Sequence, residues 1–134
     1  MKTAPRSIGK RPFVLWIGVL HALKRPLQVI DIAKMIPEID FVMIGWTEDK
    51  SIAARLEIEK PTNLYYLGVV SNDLKRDLIE KCSAGLTTSE YEGFGLTPFE
   101  FLNAGKPVVA YPLEVFNEVY DDLVIYAKDT DDFV

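Results

Sequence analysis

Short continuous runs of apolar residues recur along the chain and alternate with segments of helical periodicity. Continuous apolarity is typical of strands that are covered on both faces, as in a parallel sheet. Strands that alternate with helices in this way predict an α/β fold with a doubly wound, Rossmann-like parallel sheet. The predicted strands are Phe13–Ile17, Phe41–Ile44, Leu64–Leu67, Gly85–Thr87, Val108–Ala110 and Leu123–Tyr126.

The segments between these runs carry the helices. Val29, Ile32, Ala33 and Ile36 have the i, i+3, i+4, i+7 spacing of one buried helix face, and Pro37 ends that helix. The other predicted helices are Lys50–Glu59, one that starts at Ser71 or Asn72 and buries Leu74, Leu78 and Cys82, one from Thr97 to Gly105, and a short one over Leu113–Val119.

The bulk properties narrow the class of protein. A chain of 134 residues predicts one domain that spans residues 1–134. Its net charge of −5 provides no electrostatic basis for binding nucleic acid or an anionic membrane. The apolar run Phe13–Leu23 is too short to span a bilayer, so we expect no direct membrane insertion. The single cysteine, Cys82, excludes an internal disulfide and favours a cytoplasmic location.

The loop before the Thr97 helix carries most of the chemistry. Gly93 and Gly95 allow the backbone to bend sharply and to approach a ligand closely. A glycine loop that enters a helix N-terminus suits a phosphate, because free N–H groups and the positive end of the helix dipole face it. The two carboxylates that flank this loop, Glu92 and Glu100, are better suited to the hydroxyl groups of a sugar or ribose.

The predicted topology places this loop at a ligand site. In doubly wound sheets, ligands bind beyond the carboxyl ends of the strands, where the strand order reverses. With the usual order, that point lies between the first and fourth strands. The loop after the first strand holds Gly18, His21 and Lys24, and the loop after the fourth holds Glu92 and the two glycines, so both loops are expected to line one cleft.

These residues resemble the E-x7-E signature of retaining GT-B glycosyltransferases of family 4, also called glycosyltransferase group 1. The resemblance covers nearly the whole chain and matches the C-terminal, donor-binding half of such enzymes. The segments that carry it, besides Glu92 to Glu100, are Phe13–Gly18 with Lys24-Arg25-Pro26, Pro37–Gly45, Tyr66–Ser71 and Gly105–Ala110.

The resemblance implies transfer of a hexose from a nucleoside-diphosphate sugar, UDP- or GDP-linked, with retention of anomeric configuration. It implies no metal and no other cofactor. It also implies that the N-terminal acceptor domain is absent from these residues, so a separate acceptor-binding domain or subunit is an expected partner.

The resemblance also assigns roles to individual residues. Lys24 and Glu92 are expected to be catalytic, with Glu92 against the donor sugar. Glu100 is expected to bind the ribose, and Tyr66 and Val70 to lie on the nucleobase side. The residues expected to bind the donor diphosphate are Gly18, Lys24, Gly93, Phe94, Gly95, Leu96 and Thr97.

Each assignment has a purely structural alternative. Lys24 is also consistent with a solvated lysine before a helix, and Glu92 with an exposed acid in a turn. Glu100 completes a Thr-x-x-Glu capping box that needs no ligand. Tyr66 and Val70 are also consistent with a strand end that packs in the core.

The chain departs from the family pattern at one position. The resemblance expects an arginine directly after Gly18, where this chain has Val19. Loss of a charge-assisted hydrogen bond costs roughly 1.5–3 kcal/mol. A nucleotide-sugar binding protein without transferase activity is therefore the alternative function. A dinucleotide-dependent oxidoreductase is disfavoured, because no G-x-G-x-x-G follows the first strand.

Overall fold

The computed structural model describes residues 8–20, 26–88, 100–101, 103–110 and 125–126. These residues form six strands and three complete helices. A further helical stretch, at residues 100, 101 and 103, is called the Glu100 helix below. In chain order the elements are β1 Phe13–Ile17, α1 Gln28–Met35, β2 Asp40–Ile44, α2 Lys50–Glu59, β3 Leu64–Gly68, α3 Asn72–Lys81, β4 Ala84–Thr87, β5 Val108–Ala110 and β6 Ile125–Tyr126.

The strands form one parallel sheet in the order β3-β2-β1-β4-β5-β6. Trp16 of β1 lies between Met43 of β2 and Leu86 of β4, so β1 has a parallel neighbour on each side. The chain moves outward from β1 to β3, returns through α3, and continues outward on the other side of β1. This order confirms the doubly wound fold predicted from the sequence, with its reversal between β1 and β4.

In the part of the chain that the structure describes, the central strands are covered on both faces, as their continuous apolar runs predict. One face packs Trp16, Met43 and other strand residues against the buried sides of α1 and α2. The opposite face packs Leu15, Val42 and their neighbours against Leu78 of α3 and the other residues of that cluster. Because α3 lies on the face opposite α1 and α2, the helices diverge on the two sides of β1.

Local sequence signals explain where the helices begin and end. Asp49 caps α2, since its Oδ1 accepts from the amide of Ser51 at 2.9 Å. α3 begins at Asn72, one of the two predicted starts, and Ser71 caps it, since its Oγ accepts from the amide of Leu74 at 3.1 Å.

The Glu100 helix ends at Gly105, as the sequence predicts. Gly105 has a φ of +75°, in the left-handed region that favours glycine. The next amide, that of Lys106, donates to the carbonyl of Phe101 at 2.9 Å. This bond from the residue after the glycine back to the last turn is typical of the Schellman arrangement.

A few boundaries differ from the prediction. β2 begins one residue earlier, at Asp40, because Arg11 donates to its carboxylate through Nε at 3.1 Å and allows a charged residue to be buried. Cys82 is buried but follows α3 as its C-cap, and burial raises the pKa of its thiol. The predicted helix over 113–119 lies outside the described residues.

Asn63 connects three parts of the chain beneath β3. Its side-chain amide donates to the carbonyls of Ala33, Ile36 and Ile39 at 2.9, 3.1 and 2.9 Å. These carbonyls belong to the last turn of α1 and to the segment that leads into β2. Because Asn63 is buried, water does not readily replace these bonds.

We predict that Asn63→Asp lowers the free energy of unfolding by at least roughly 2 kcal/mol. The substitution removes the donor and places a carboxylate oxygen against three carbonyl oxygens. Asn72→Asp is the matched control, because Asn72 is exposed in the first turn of α3, where a negative charge is favourable. Urea titrations of both variants measure the difference. Equal midpoints for the two variants would contradict this role of Asn63.

Candidate functional site

β1 is the strand at which the strand order of the sheet reverses, and the candidate site lies at its carboxyl end. A buried hydrogen bond crosses this point, since Trp16 Nε1 donates to Thr88 Oγ1 at 3.0 Å. Thr88 directly follows β4 and is fully buried. The bond therefore ties β1 to the start of the loop that was predicted to hold the ligand.

Three glycines stand at the carboxyl ends of neighbouring strands: Gly18 after β1, Gly45 after β2 and Gly68 at the end of β3. The amide of Gly18 donates to the carbonyl of Ile44 at 3.1 Å, and that of Gly45 donates to the carbonyl of Gly68 at 2.9 Å. Backbone hydrogen bonds between neighbouring strands thus continue as far as these glycines. The three positions carry no side chain at this edge of the sheet. The missing side chains let neighbouring groups of this edge approach the backbone closely.

Packing gives an independent reason for two of these glycines. A Cβ at Gly18 would lie 2.8 Å from Cη2 of Trp16. A Cβ at Gly45 would fall on the carbonyl oxygen of Gly18, and Gly45 also has a φ of +140°. The expected diphosphate contact of Gly18 stays a prediction, because the indole beneath it already accounts for the missing side chain.

Glu100 lies on the α3 face of the sheet, in an ion pair with Lys75. The Lys75 ammonium is 2.9 Å from Oε2 of Glu100. Lys75 belongs to the first half of α3, which begins at the carboxyl edge of the sheet just after β3. The next residue, Phe101, is buried against Gly85 of β4, where a Cβ would meet its ring. Glu100 is thereby held between β4 and the start of α3.

A small hollow of about 240 Å³ lies beside this ion pair. Its lining residues are Asn72, Lys75, Arg76, Ile79 and Glu100. Sequence reasoning missed Lys75, because a lysine one turn after a capped helix start cannot be distinguished by sequence from a solvated one. The hollow combines two cations, a carboxylate and an amide next to an apolar wall, which suits a polar ligand with hydroxyl groups.

The two residues expected on the nucleobase side face opposite sides of the sheet. Val70 is half-buried against the α3-side cluster, which also includes Leu74 and Phe101. Tyr66 packs against the cluster beneath α1 and α2, and its hydroxyl shares a 2.5 Å hydrogen bond with the Thr47 hydroxyl. Only Val70 therefore shares a face with Glu100, and a nucleobase role for either residue stays a prediction.

Val19 and two exposed apolar residues, Trp46 and Val69, also lie at this edge of the sheet. Val19 is half-buried and follows Gly18 directly. Trp46 is 64% exposed after β2, and Val69 is 46% exposed after β3. The Trp46 carbonyl accepts from the amide of Leu20 at 2.8 Å, so its backbone is fixed to the end of β1. The sequence signal for Trp46 and Val69 is that each follows a strand-ending glycine.

The remaining predicted site residues lie outside the described residues: Lys24, Glu92, Gly93, Phe94, Gly95, Leu96 and Thr97. Their roles stay predictions, and so does the capping box between Thr97 and Glu100. In the described part of the chain, no group of three or more His, Cys, Asp or Glu side chains is placed to hold a metal ion. No helix in that part is long and apolar enough to cross a membrane.

Two larger hollows lie elsewhere. A groove of about 700 Å³ runs between α1 and α2, and Arg55 and Glu59 on its rim already pair with each other at 2.8 Å. A second hollow, of about 430 Å³, lies at the amino edge of the sheet and includes the Arg11–Asp40 pair. Size favours the α1–α2 groove, but we favour the smaller hollow at Glu100, because doubly wound sheets bind ligands at the carboxyl edge.

Comparison with known proteins identifies the family. The sequence model of the family described as Glycosyl transferases group 1 matches residues 2–133. The chain belongs to this family. The family resemblance seen in the strand ends and in the E-x7-E segment is thereby confirmed.

Two curated relatives are glycosyltransferases. The chain is 27% identical over 131 residues to the N,N'-diacetylbacillosaminyl-diphospho-undecaprenol alpha-1,3-N-acetylgalactosaminyltransferase of Campylobacter jejuni, a match that covers 94% of this chain and 34% of that protein. It is 36% identical over 75 residues to the alpha-1,3/1,6-mannosyltransferase ALG2 of Saccharomyces cerevisiae, covering 54% of this chain and 15% of that protein. The matches thus cover about a third of the length of the first relative and 15% of the second.

Solved structures show the same fold. Anabaena Alr3699/HepE, in complex with UDP and glucose, superposes with a TM-score of 0.78 at 18% identity, over 91% of this chain and 36% of that one. S. aureus TarM, in a complex that includes UDP, gives a TM-score of 0.76 at 22% identity, over 98% of this chain and 29% of that one. At these identities the likeness shows the fold alone, which is the GT-B type predicted from the sequence.

We predict that Gly45→Ala lowers the free energy of unfolding by more than roughly 3 kcal/mol, since it combines backbone strain with a steric overlap on Gly18. Gly9→Ala is the matched control. Gly9 also has a left-handed φ, +93°, but nothing lies within 4 Å of an added Cβ. Strain alone should cost the control about 1–2 kcal/mol. Thermal melts of both variants measure the difference, and equal losses would show that the close contact with Gly18 is unimportant.

Proposed function

We propose that this chain is the donor-binding part of a glycosyltransferase that takes a hexose from a nucleoside-diphosphate sugar and transfers it with retention of anomeric configuration. Family membership supports a glycosyltransferase in general. The finer assignment, to a nucleotide-linked donor and a retaining reaction, rests on the site and on the resemblance at the E-x7-E segment.

The observation that carries the proposal is the placement of Glu100. Its carboxylate is 40% exposed and faces the hollow beside α3, at the edge of the sheet where such folds bind ligands. A carboxylate is purely a hydrogen-bond acceptor, so it suits hydroxyl groups and repels a phosphate. In this proposal Glu100 binds the ribose, while the diphosphate lies nearer the bare end of β1 at Gly18.

The proposed chemistry is electrostatic. Lys24, the backbone amides of residues 93–97 and the positive end of the helix that follows them would neutralise the leaving diphosphate. Glu92 would lie against the donor sugar. Under this proposal the reaction uses no metal, because these groups supply the stabilising charge.

The relatives support a nucleotide-linked donor. Alr3699/HepE and TarM were solved with UDP, and the fold of this chain matches both. The named activities of the Campylobacter and yeast relatives both transfer sugars. Because the chain corresponds to 34% of the Campylobacter relative, we propose that a separate domain or subunit binds the acceptor.

Val19 favours a second candidate function. The family pattern expects an arginine directly after Gly18, and the half-buried Val19 offers no charge to a diphosphate. A missing charge-assisted bond weakens stabilisation of the leaving group more seriously than it weakens ground-state binding. The second candidate is therefore a nucleotide-sugar binding protein without transferase activity.

We predict that the chain binds UDP- or GDP-sugars with a dissociation constant of roughly 1 μM to 1 mM, and that EDTA does not weaken binding. The expected affinity is modest because the described hollow encloses only part of such a ligand. Isothermal calorimetry with a panel of nucleotide sugars, with and without EDTA, measures both quantities. No binding to any donor, or binding that EDTA abolishes, would refute the proposal.

Glu100→Gln ties this binding to the proposed site. Glutamine keeps the shape and can still cap a helix, but it loses the charge-assisted bond to a hydroxyl. Affinity should therefore fall by about 1–2 kcal/mol with little change in melting temperature. Glu59→Gln, on the exposed side of α2, is the matched control and should leave affinity unchanged.

A further inference from the structure

The Lys75–Glu100 ion pair differs from the other close ion pairs between described side chains on helices. Arg55–Glu59 and Lys81–Asp77 each join residues one turn apart on a single helix. Lys75 instead reaches from α3 to the Glu100 helix, at 2.9 Å. It therefore fixes the position of a carboxylate that belongs to another element.

A contribution to folding stability does not explain why this ion pair is present. The side chains of Lys75 and Glu100 are 34% and 40% exposed, so water screens their attraction. Exposed pairs of this kind add little to the free energy of folding, while they hold two long side chains in one geometry. The Glu100 helix is already anchored on the sheet by the buried Phe101.

Within the described residues, the pair leaves part of the Glu100 carboxylate available to a ligand. Lys75 contacts Oε2, and a carboxylate has two oxygens that together offer about four acceptor positions. The hollow beside the pair, about 240 Å³, is smaller than the roughly 300–1,000 Å³ of pockets that enclose whole drug-sized ligands. It therefore fits one part of a nucleotide sugar, such as the ribose.

We propose that Lys75 is a positioning residue for Glu100: it holds the carboxylate so that its free lone pairs accept from the ribose hydroxyl groups of the bound nucleotide. This inference rests on the proposed function and names a residue on which its ribose selectivity depends. Lys75 acts through Glu100, so its loss weakens recognition of the ribose hydroxyls specifically and leaves the rest of the nucleotide contacts in place.

Nucleotides with and without the ribose hydroxyl groups test this role of Lys75. Affinities of the chain for UDP and GDP are compared with those for 2',3'-dideoxy-UDP and 2',3'-dideoxy-GDP, which lack the ribose hydroxyls. A charge-assisted bond predicts that the unmodified chain prefers the ribonucleotide by roughly tenfold or more. Lys75→Met should reduce that preference to about threefold or less, with the affinity for the dideoxynucleotide nearly unchanged.

Two further variants separate position from charge. Lys75→Arg keeps a cation that reaches Glu100 and should retain most of the preference. Lys81→Met removes a cation from the same helix, one that pairs with Asp77 at 3.1 Å and not with Glu100, and should change neither affinity. Melting temperatures of the variants should stay close to that of the unmodified chain, as expected for an exposed pair.

The possible results distinguish failure of the positioning role from failure of the proposed function. Equal loss of affinity for the ribonucleotide and the dideoxynucleotide in Lys75→Met would overturn the positioning role, because Lys75 would then act on the diphosphate or the base. An unchanged preference in Lys75→Met, together with a lost one in Glu100→Gln, would also overturn it while the proposed function stands. Failure of the unmodified chain to bind any of the four nucleotides would overturn both.

Discussion

The position of β1 between two parallel neighbours is the constraint on which the rest of this structure depends. β1 pairs with β2 on one side and with β4 on the other, so the chain must leave the edge at β3 and return across the sheet through α3. That return places α3 on the face opposite α1 and α2 and opens the carboxyl edge between the diverging connections. The buried bond from Trp16 to Thr88 holds the two strands together at this opening.

The chemistry at this edge follows from what the fold leaves uncovered. Gly18 has no side chain because the indole of Trp16 lies beneath it, and Gly45 has none because the Gly18 carbonyl occupies that space. On the α3 face of the same sheet, Lys75 pairs with Glu100. A carboxylate in that position suits the hydroxyl groups of a sugar. The proposed function assigns Glu100 to the ribose of a nucleoside-diphosphate sugar.

The predictable part of the fold is the part encoded in local patterns. Continuous apolar runs located the strands, and Ser71 and Gly105 marked helix ends correctly, because each signal lies within a few residues of the structure it specifies. What could not be predicted depends on distant partners. Asp40 joins β2 through Arg11, and Lys75 reaches Glu100 on a different helix. Of the candidate site, the sequence indicated the edge and Glu100, but not the residue that positions it.

Amide NMR spectra of the chain titrated with UDP and with GDP test the central claim most directly, because they report where a nucleotide binds. The account predicts that the largest shifts fall on amides of the carboxyl edge, at Gly18, the Gly68–Lys75 segment and Glu100. Amides of the amino edge, such as those of Lys10 and Thr62, should shift little. Shifts concentrated at the amino edge or along the α1–α2 groove, or no shifts at saturating nucleotide, would contradict the account.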